Sequence, residues 1–463
     1  MRYGNFRFIL PLTTIVFLAA CVTPPPLNDH ITLVPLSSKA DAEAGLTMDY
    51  FYGSQDSLID QIVCHADRSC LYSGHAYALG GRNPQVDSLV IHTLNGQTLN
   101  WARTYQIDDV FNNNLGMIPT ADGGALLYGN SFITDGLGLD LHPVYEKIDA
   151  QGTPQWGGAL DKGKTKMFTS FTDGISLSDG GYALAGSSFI DGQWRGTVLR
   201  LDASGNQVWF TTLDNSHEIS FLQYLIELPD KHILGVGYDK TRNDMTLFDL
   251  TADGRLTHSA VLHMPGDEVP VGLAKLNQGP LIIASATQPN GEHTALLVRL
   301  DWKESVESAT LYHYVDGLDP ANVLALADQK LCLYGSTASE NHGQSVAFTT
   351  TSKGRPISAI KLKGGNVFIY GTLLSSKKIL FTGGRKIGTK QKNSGLIVKW
   401  TPSVYNDQSV LEKISFAKAT LTVRPSPDAE QALTSQSVIM HFGLSNMSSR
   451  LVSGGTTGAG KTD

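Results

Sequence analysis

Apolar residues along this chain fall in short runs of four to eight, each broken by a polar turn rich in glycine and aspartate. ADGGALLYGNS from Ala121, SDGGYALAGSS from Ser178 and PDKHILGVGYD from Pro229 are three such units. DQKLCLYGSTA from Asp328 and SKKILFTGGRK from Ser376 are later ones, and CLYSGHA from Cys70 is an irregular earlier one. Runs of this length bounded by turn residues predict strands rather than helices. Aligned on the glycine that ends each run, the copies sit at Gly74, Gly129, Gly186, Gly237, Gly335 and Gly383, which are 55, 57, 51, 98 and 48 residues apart. The long interval holds one more copy, PLIIASATQ, with Ser285 read in the glycine's place. The period is therefore about 50 residues, seven times over.

A second strand–turn–strand string recurs in six of the units: VIHTLNGQTLNW, VYEKIDAQGTPQW, VLRLDASGNQVW, TLFDLTADGRLTH, LVRLDWKESVES and FTTTSKGRPIS. These predict hairpins in which glycine takes the positive φ. Asp149 and Asp202 open theirs, where a short carboxylate can accept from the backbone two residues on. Trp101, Trp156 and Trp209 follow the turn glycines at one fixed position, which predicts packing between neighbouring units rather than a ring of ligand-stacking aromatics. Four short strands per unit, seven units and no helical period predict an all-β fold, a β-propeller of seven four-stranded blades over residues 48–415. Two segments compete to close the ring: MDYFYGS near the N-terminus and VLEKISF after the last unit. The D-G-G-[YA]-x-L-x-G-x-S string followed by a hairpin ending near Trp resembles bacterial propeller repeats of the PQQ-like and Kelch-like groups. That resemblance implies a fold and is silent on activity.

The ends of the chain add location. Arg2 and Arg7 precede a mostly apolar stretch of 13 residues, Phe8 to Ala20, too short to span a bilayer as a helix and suited to a secretory signal over residues 1–20. Leu18-Ala19-Ala20-Cys21 resembles the bacterial lipoprotein signal, which implies cleavage before Cys21 and acylation of it. Several acyl chains on one residue hold a protein stably at a membrane. Val22, where some lipoproteins carry a retention aspartate, leans the resemblance toward the outer membrane, with the propeller in the periplasm or at the cell surface. Residues 21–47, with Pro24, Pro25 and Pro26, read as a semi-rigid tether. Residues 416–463 read as an extension: TLTVR and SVIMHFGL are strand-like, PSPDAEQAL suits the start of a short helix, and the chain reads as flexible from about residue 446.

Candidate chemistry is sparse. The charged fraction is 17% and the net charge −7, with no basic stripe for nucleic acid. Gly455 to Thr462 match the letters of a phosphate-binding loop, but a helix must follow such a loop and only Asp463 does, so no nucleotide is expected. Cys64 and Cys70, flanking HADRS, suit a local disulfide in an exported protein. Cys332, in an apolar run, reads as packing. The 13 histidines show no metal-ligand spacing; His65 beside Asp67 reads as a surface pair. Asp108–Asp109 and Asp267–Glu268 read as solvated loop acids, and Asp135 and Asp140 lack the dense oxygen spacing of a calcium loop. No catalytic residue, metal or cofactor is assigned. The expectation is a membrane-anchored scaffold for protein partners in an envelope or secretion assembly, similar in architecture to the propeller lipoprotein of the outer-membrane barrel-assembly machinery. The alternative is an envelope enzyme or carbohydrate or small-molecule receptor with its site at the propeller mouth.

Overall fold

The structure is a computed structural model. It describes the chain from Thr32 to Gly454 except 36–44, 53–55, 79–84, 97, 108–110, 135–138, 161–167, 191, 214–220, 240–242, 338–343, 363–365, 388–391, 426–431, 435–438 and 443–446. The signal, Cys21, most of the tether, Asp108–Asp109, Asp135 and the phosphate-loop string lie outside the described residues.

Seven antiparallel sheets form seven blades, over residues 56–107, 111–160, 168–213, 221–263, 267–314, 319–361 and 366–400, the last completed from the N-terminus. The first strands of successive blades pack side by side, and Asn366–Ser375 of blade seven meets Asp56–Cys64 of blade one, so the ring closes. The closing strand is Leu46–Tyr52, paired along Lys392–Trp400 with Leu46 opposite Trp400. VLEKISF does not close the ring. Because strands alternate in direction, the first–second and third–fourth connections share one face, the turn face, and the remaining connections share the other, the loop face.

The middle strands of each blade are buried on both faces, as in Met245–Leu250, where every residue is buried. This is why they read as continuous apolar runs rather than alternating ones: each blade is sandwiched between two others. Apolar clusters accordingly lie between blades. One joins Leu234, Val236 and Leu247 of blade four to Ile282, Ala284 and Leu296 of blade five. Another joins Cys332, Tyr334 and Ile360 of blade six to Phe381, Leu396 and Trp400 of blade seven. Cys332 is a buried thiol whose titration burial pushes up.

The repeat glycine has a structural cause. Each first strand carries a register shift, such as that between Phe171 and Asp173, and Gly186 lies opposite Phe171. A Cβ at Gly186 would stand 2.0 Å from the Ser170 carbonyl oxygen, so the backbone approach excludes any side chain. In blade five the shift falls between Pro270 and Gly272, opposite Ala284 and Ile283. Ala284, not Ser285, is therefore the residue at the repeat position, a correction that only the bulge register reveals.

The tryptophans tie blade to blade. Trp101 Nε1 donates to Ala150 O at 3.2 Å and Trp209 Nε1 to Ala252 O at 3.0 Å, each reaching the hairpin turn of the next blade. Trp156 lies so close to Gly205, at φ 83°, that a Cβ there would be 2.5 Å from its ring. Tyr105 and Tyr312 hydroxyls donate to Gly152 O and Gly354 O in the same manner, at 2.7 and 2.8 Å. In the turns themselves Asp149 accepts from Gln151 N and Thr153 N, and Asp202 from Ser204 N and Asn206 N, all at 2.8–2.9 Å.

The C-terminal extension is a belt. Ile414–Lys418 adds a fifth strand to blade five, Thr422–Pro425 to blade four, Ala432–Thr434 to blade three, Ile439–Phe442 to blade two and Met447–Gly454 to blade one. It runs backwards around the perimeter. Thr32–Pro35 supplies the fifth strand of blade seven. Blade six has four strands, and its outer edge is capped differently: Ala359 N donates to Asn406 Oδ1 at 2.9 Å and Ala359 O accepts from Asp407 N at 2.8 Å. Asp407 then caps a helical turn, Gln408–Leu411, which buries Val410. One expectation is corrected here. Met447–Gly454 is a strand paired with Thr98–Ile107 rather than the start of a flexible tail. Of PSPDAEQAL, Pro425 ends one belt strand and Ala432 and Leu433 enter the next, where an open sheet edge offers backbone partners; 426–431, where the short helix was expected to start, lie outside the described residues.

Candidate functional site

Two regions gather chemistry. The first is the axis. The residue just after each bulge faces it from the same position in every blade: Gln61, Gly116, Asp173, Tyr224, Gly272, Asn322 and Tyr370. Tyr128 lies over Gly116, where a Cβ would collide with its ring, and Tyr334 accepts from Gly371 N at 2.9 Å. Burial pushes Tyr128, Tyr224, Tyr334 and Tyr370 up, so all four are neutral phenols that fill the axis. Gln61 Nε2 donates to Met117 O at 3.3 Å and its Oε1 accepts from Met117 N, stitching blade one to blade two. Asp173 accepts from Leu225 N at 2.9 Å, stitching blade three to blade four.

At the turn-face end of the axis a cavity of about 290 Å³ is bordered by Gln61, Met117, Asp173, Leu324 and Tyr370. Burial pushes the Asp173 carboxyl up to about 7, against the Leu225 and Gly174 N–H groups, which favour its ionised form. Asp173 is the one carboxylate among the described residues bordering this cavity. A neighbouring hollow of about 330 Å³ is bordered by Ser176, Glu227 and Lys275. There Glu227 is engaged by Ser178 N and Oγ, both at 2.8 Å, and Lys275 Nζ donates to Glu227 O at 2.7 Å.

Still on the turn face, a disulfide joins Cys64 and Cys70, which are opposite each other across the first turn of blade one. His65 and Asp67 belong to that turn, and Asp67 accepts from Ser69 N at 2.9 Å. Asp122 bridges to Lys147 at 2.7 Å; against burial, Lys147, Thr120 and Gly124 hold its carboxyl down to about 2. These are turn-fixing contacts rather than a reactive set.

The second region is the loop face of blades four to six, where histidines meet acids. His263 Nδ1 lies 2.6 Å from Asp244 Oδ1 and 3.8 Å from Glu268 Oε2. His313 Nδ1 lies 2.8 Å from Glu292 Oε1, and His293 Nδ1 2.8 Å from Asp319 Oδ1. The last two pairs are partly exposed, whereas Asp244 is buried and Glu268 is 0% exposed. Burial first, with Asp244 and Asp267 nearby, pushes the Glu268 carboxyl up to about 8. Glu268 was expected to be a solvated loop acid. It sits instead on the strand Asp267–Leu276, beneath the seam of two blades. Sequence reasoning missed this grouping because its members stand 19 and 5 residues apart on three different strands or their edges. It missed Asp173 because the equivalent positions in the other blades hold unrelated residues.

The sequence matches no family model and no curated protein. Among solved structures the chain is similar to a protein of unknown function from Dyadobacter fermentans, at 12% identity and TM-score 0.43, covering 64% of this chain and 98% of that one. It is also similar to Sqt1 of Chaetomium thermophilum, solved bound to the N-terminus of the ribosomal protein L10, at 13% identity and TM-score 0.43, covering 75% and 97%. A gluconolactonase from Xanthomonas campestris gives 16% identity and TM-score 0.34, covering 68% and 90%. At these scores the likenesses carry no functional weight. The strand topology itself defines a seven-bladed β-propeller.

Proposed function

We propose that this protein is a lipid-anchored propeller scaffold that docks protein partners in a bacterial envelope assembly. The observation that supports it best is the filled axis. Ligand pockets usually occupy about 300–1,000 Å³ with several converging polar groups. Here the axial cavity is about 290 Å³ with one carboxylate, held by backbone N–H groups, and in the neighbouring hollow of about 330 Å³ Glu227 is held by Ser178 and Lys275 by the Glu227 carbonyl. Hydrolysis of the two-carboxylate kind needs a pair. What the surface presents instead is exposed apolar side chains on several blades and on the belt, among them Val208, Val315, Ile357 and Phe416. The basic, apolar, Ala-Ala-Cys order of the first 21 residues supports the anchor.

The test is cross-linking in intact cells, affinity isolation from detergent and identification of what is recovered, with Cys21→Ala run in parallel under metabolic labelling with an alkyne fatty acid. The expected result is label on the parent and none on Cys21→Ala, with a stoichiometric set of envelope proteins that requires the propeller. Recovery of the protein alone overturns the scaffold, and label that survives Cys21→Ala overturns the anchor.

A further inference from the structure

We propose that Asp244, His263 and Glu268 form a binding site for a divalent first-row transition metal, of the zinc or manganese kind, at the loop-face seam between blades four and five. One ligand atom from each of the three lies within 4.8 Å of the others, the spread that a single ion can gather. The donor set is one imidazole nitrogen and two carboxylate oxygens. That mixture suits zinc, manganese or iron and is poor for magnesium and calcium, which favour all-oxygen shells.

A histidine between two acids is also an ordinary hydrogen-bonded cluster, and Glu268 decides between the readings. Its side chain is 0% exposed. Its Oε1 has no hydrogen-bond partner, and its Oε2 has only Met264 N at the long distance of 3.4 Å. A desolvated carboxylate so poorly satisfied is costly to the fold. The oxygen 3.8 Å from His263 is Oε2, so a cation there pairs that oxygen, and it supplies the partner Oε1 lacks when the carboxylate binds through both oxygens. The contacts need little rearrangement. Metal–ligand bonds of about 2.0–2.2 Å place neighbouring ligand atoms roughly 3.3 Å apart in a tetrahedral shell. His263 Nδ1 and Asp244 Oδ1 would part slightly from 2.6 Å, and Glu268 would close slightly from 3.8 Å. His263, 29% exposed in its side chain, leaves the ion a way in.

The site also has a structural logic. Asp244 precedes the third strand of blade four, His263 ends its fourth, and Glu268 is the second residue of the first strand of blade five. His263 is paired in turn with Thr422 of the belt. An ion there fastens two blades to each other at the point where the belt crosses onto blade four.

The experiment is equilibrium binding of Zn²⁺ and of Mn²⁺, each alone, to the full chain in detergent, with Ca²⁺ and Mg²⁺ as controls and thermal unfolding followed in parallel. The expected result is one saturable site for Zn²⁺ or Mn²⁺ with Kd below about 10 µM, a metal-dependent rise in Tm, and at least a ten-fold loss of affinity in Glu268→Gln and in His263→Gln. Circular dichroism of each metal-free variant checks that it folds, and Asp244→Asn replaces either variant that does not. No saturable binding to the folded parent overturns the proposal. So does affinity unchanged in the folded variants, which would put the ion elsewhere, and so does binding of Ca²⁺ or Mg²⁺ in preference.

Discussion

Trp209 does three things for one side chain: it is buried, it donates from Nε1 to Ala252 O at 3.0 Å, and its ring covers Gly254 of the next blade. Trp209→Ala therefore removes packing and a hydrogen bond at an inter-blade seam, and should cost about 3–5 kcal/mol in denaturant unfolding; a cost under about 1 kcal/mol would mean that the seam repacks without it. Such residues are legible in sequence because they stand four or five residues after a turn glycine. Asp173 is not, since only the folded axis shows that it faces inward. Its carboxyl titrates near 7 in the folded chain and near its ordinary value when unfolded. The folded state thus binds the extra proton, and this group's contribution is complete below about pH 4 and is lost as pH rises through 7. Asp173→Asn should narrow the gap between Tm at pH 5 and Tm at pH 8; an unchanged gap would show that the group titrates normally.

At the level of strands, the bulge and the belt account for most of what the sequence did not reveal. The blade strands announce themselves through apolar runs because both of their faces are covered. Belt strands touch the ring along one edge only: Ile414–Lys418 is exposed at all but its first residue. Such a strand needs no apolar face, so composition marks it unevenly: TLTVR and SVIMHFGL read as strand-like and overlap Thr422–Pro425 and Ile439–Phe442, whereas nothing marks Ala432–Thr434 or Met447–Gly454. Its successive strands start at residues 414, 422, 432, 439 and 447, intervals of 8, 10, 7 and 8 that are invisible beside a 50-residue period. The belt's role follows from what it covers. An outer strand without a neighbour offers unpaired N–H and C=O groups to any other chain. A chain ending after Lys418 uncovers blades one to four and removes Ala419 and Leu421 from the edge of the cluster between blades four and five, but leaves the buried members of the inter-blade clusters in place. It should keep its β-sheet circular dichroism and gain time-dependent light scattering; a truncated chain as monodisperse as the parent would show that the edges are protected in some other way.

For the molecule as a whole, the seven-fold repeat was readable, and MDYFYGS, one of the two candidates to close it, overlaps the closing strand; the wrapping of the C-terminal belt was not readable. The repeat follows from turn chemistry and strand length, which are local. The asymmetry comes from the chain's ends: Leu46–Tyr52 completes the last blade, while Met447–Gly454 finishes the first. Contacts so distant in sequence make folding slow, because the ring and its perimeter close only through distant parts of the chain. The backward course of the belt has a consequence for how the protein fails. Synthesis reaches blade one first, yet its edge stays open until the final strand arrives, and blades two to four wait in reverse order behind it. Premature termination would therefore strip cover first from the blade made earliest, so that a chain cut short at its end is damaged at its beginning.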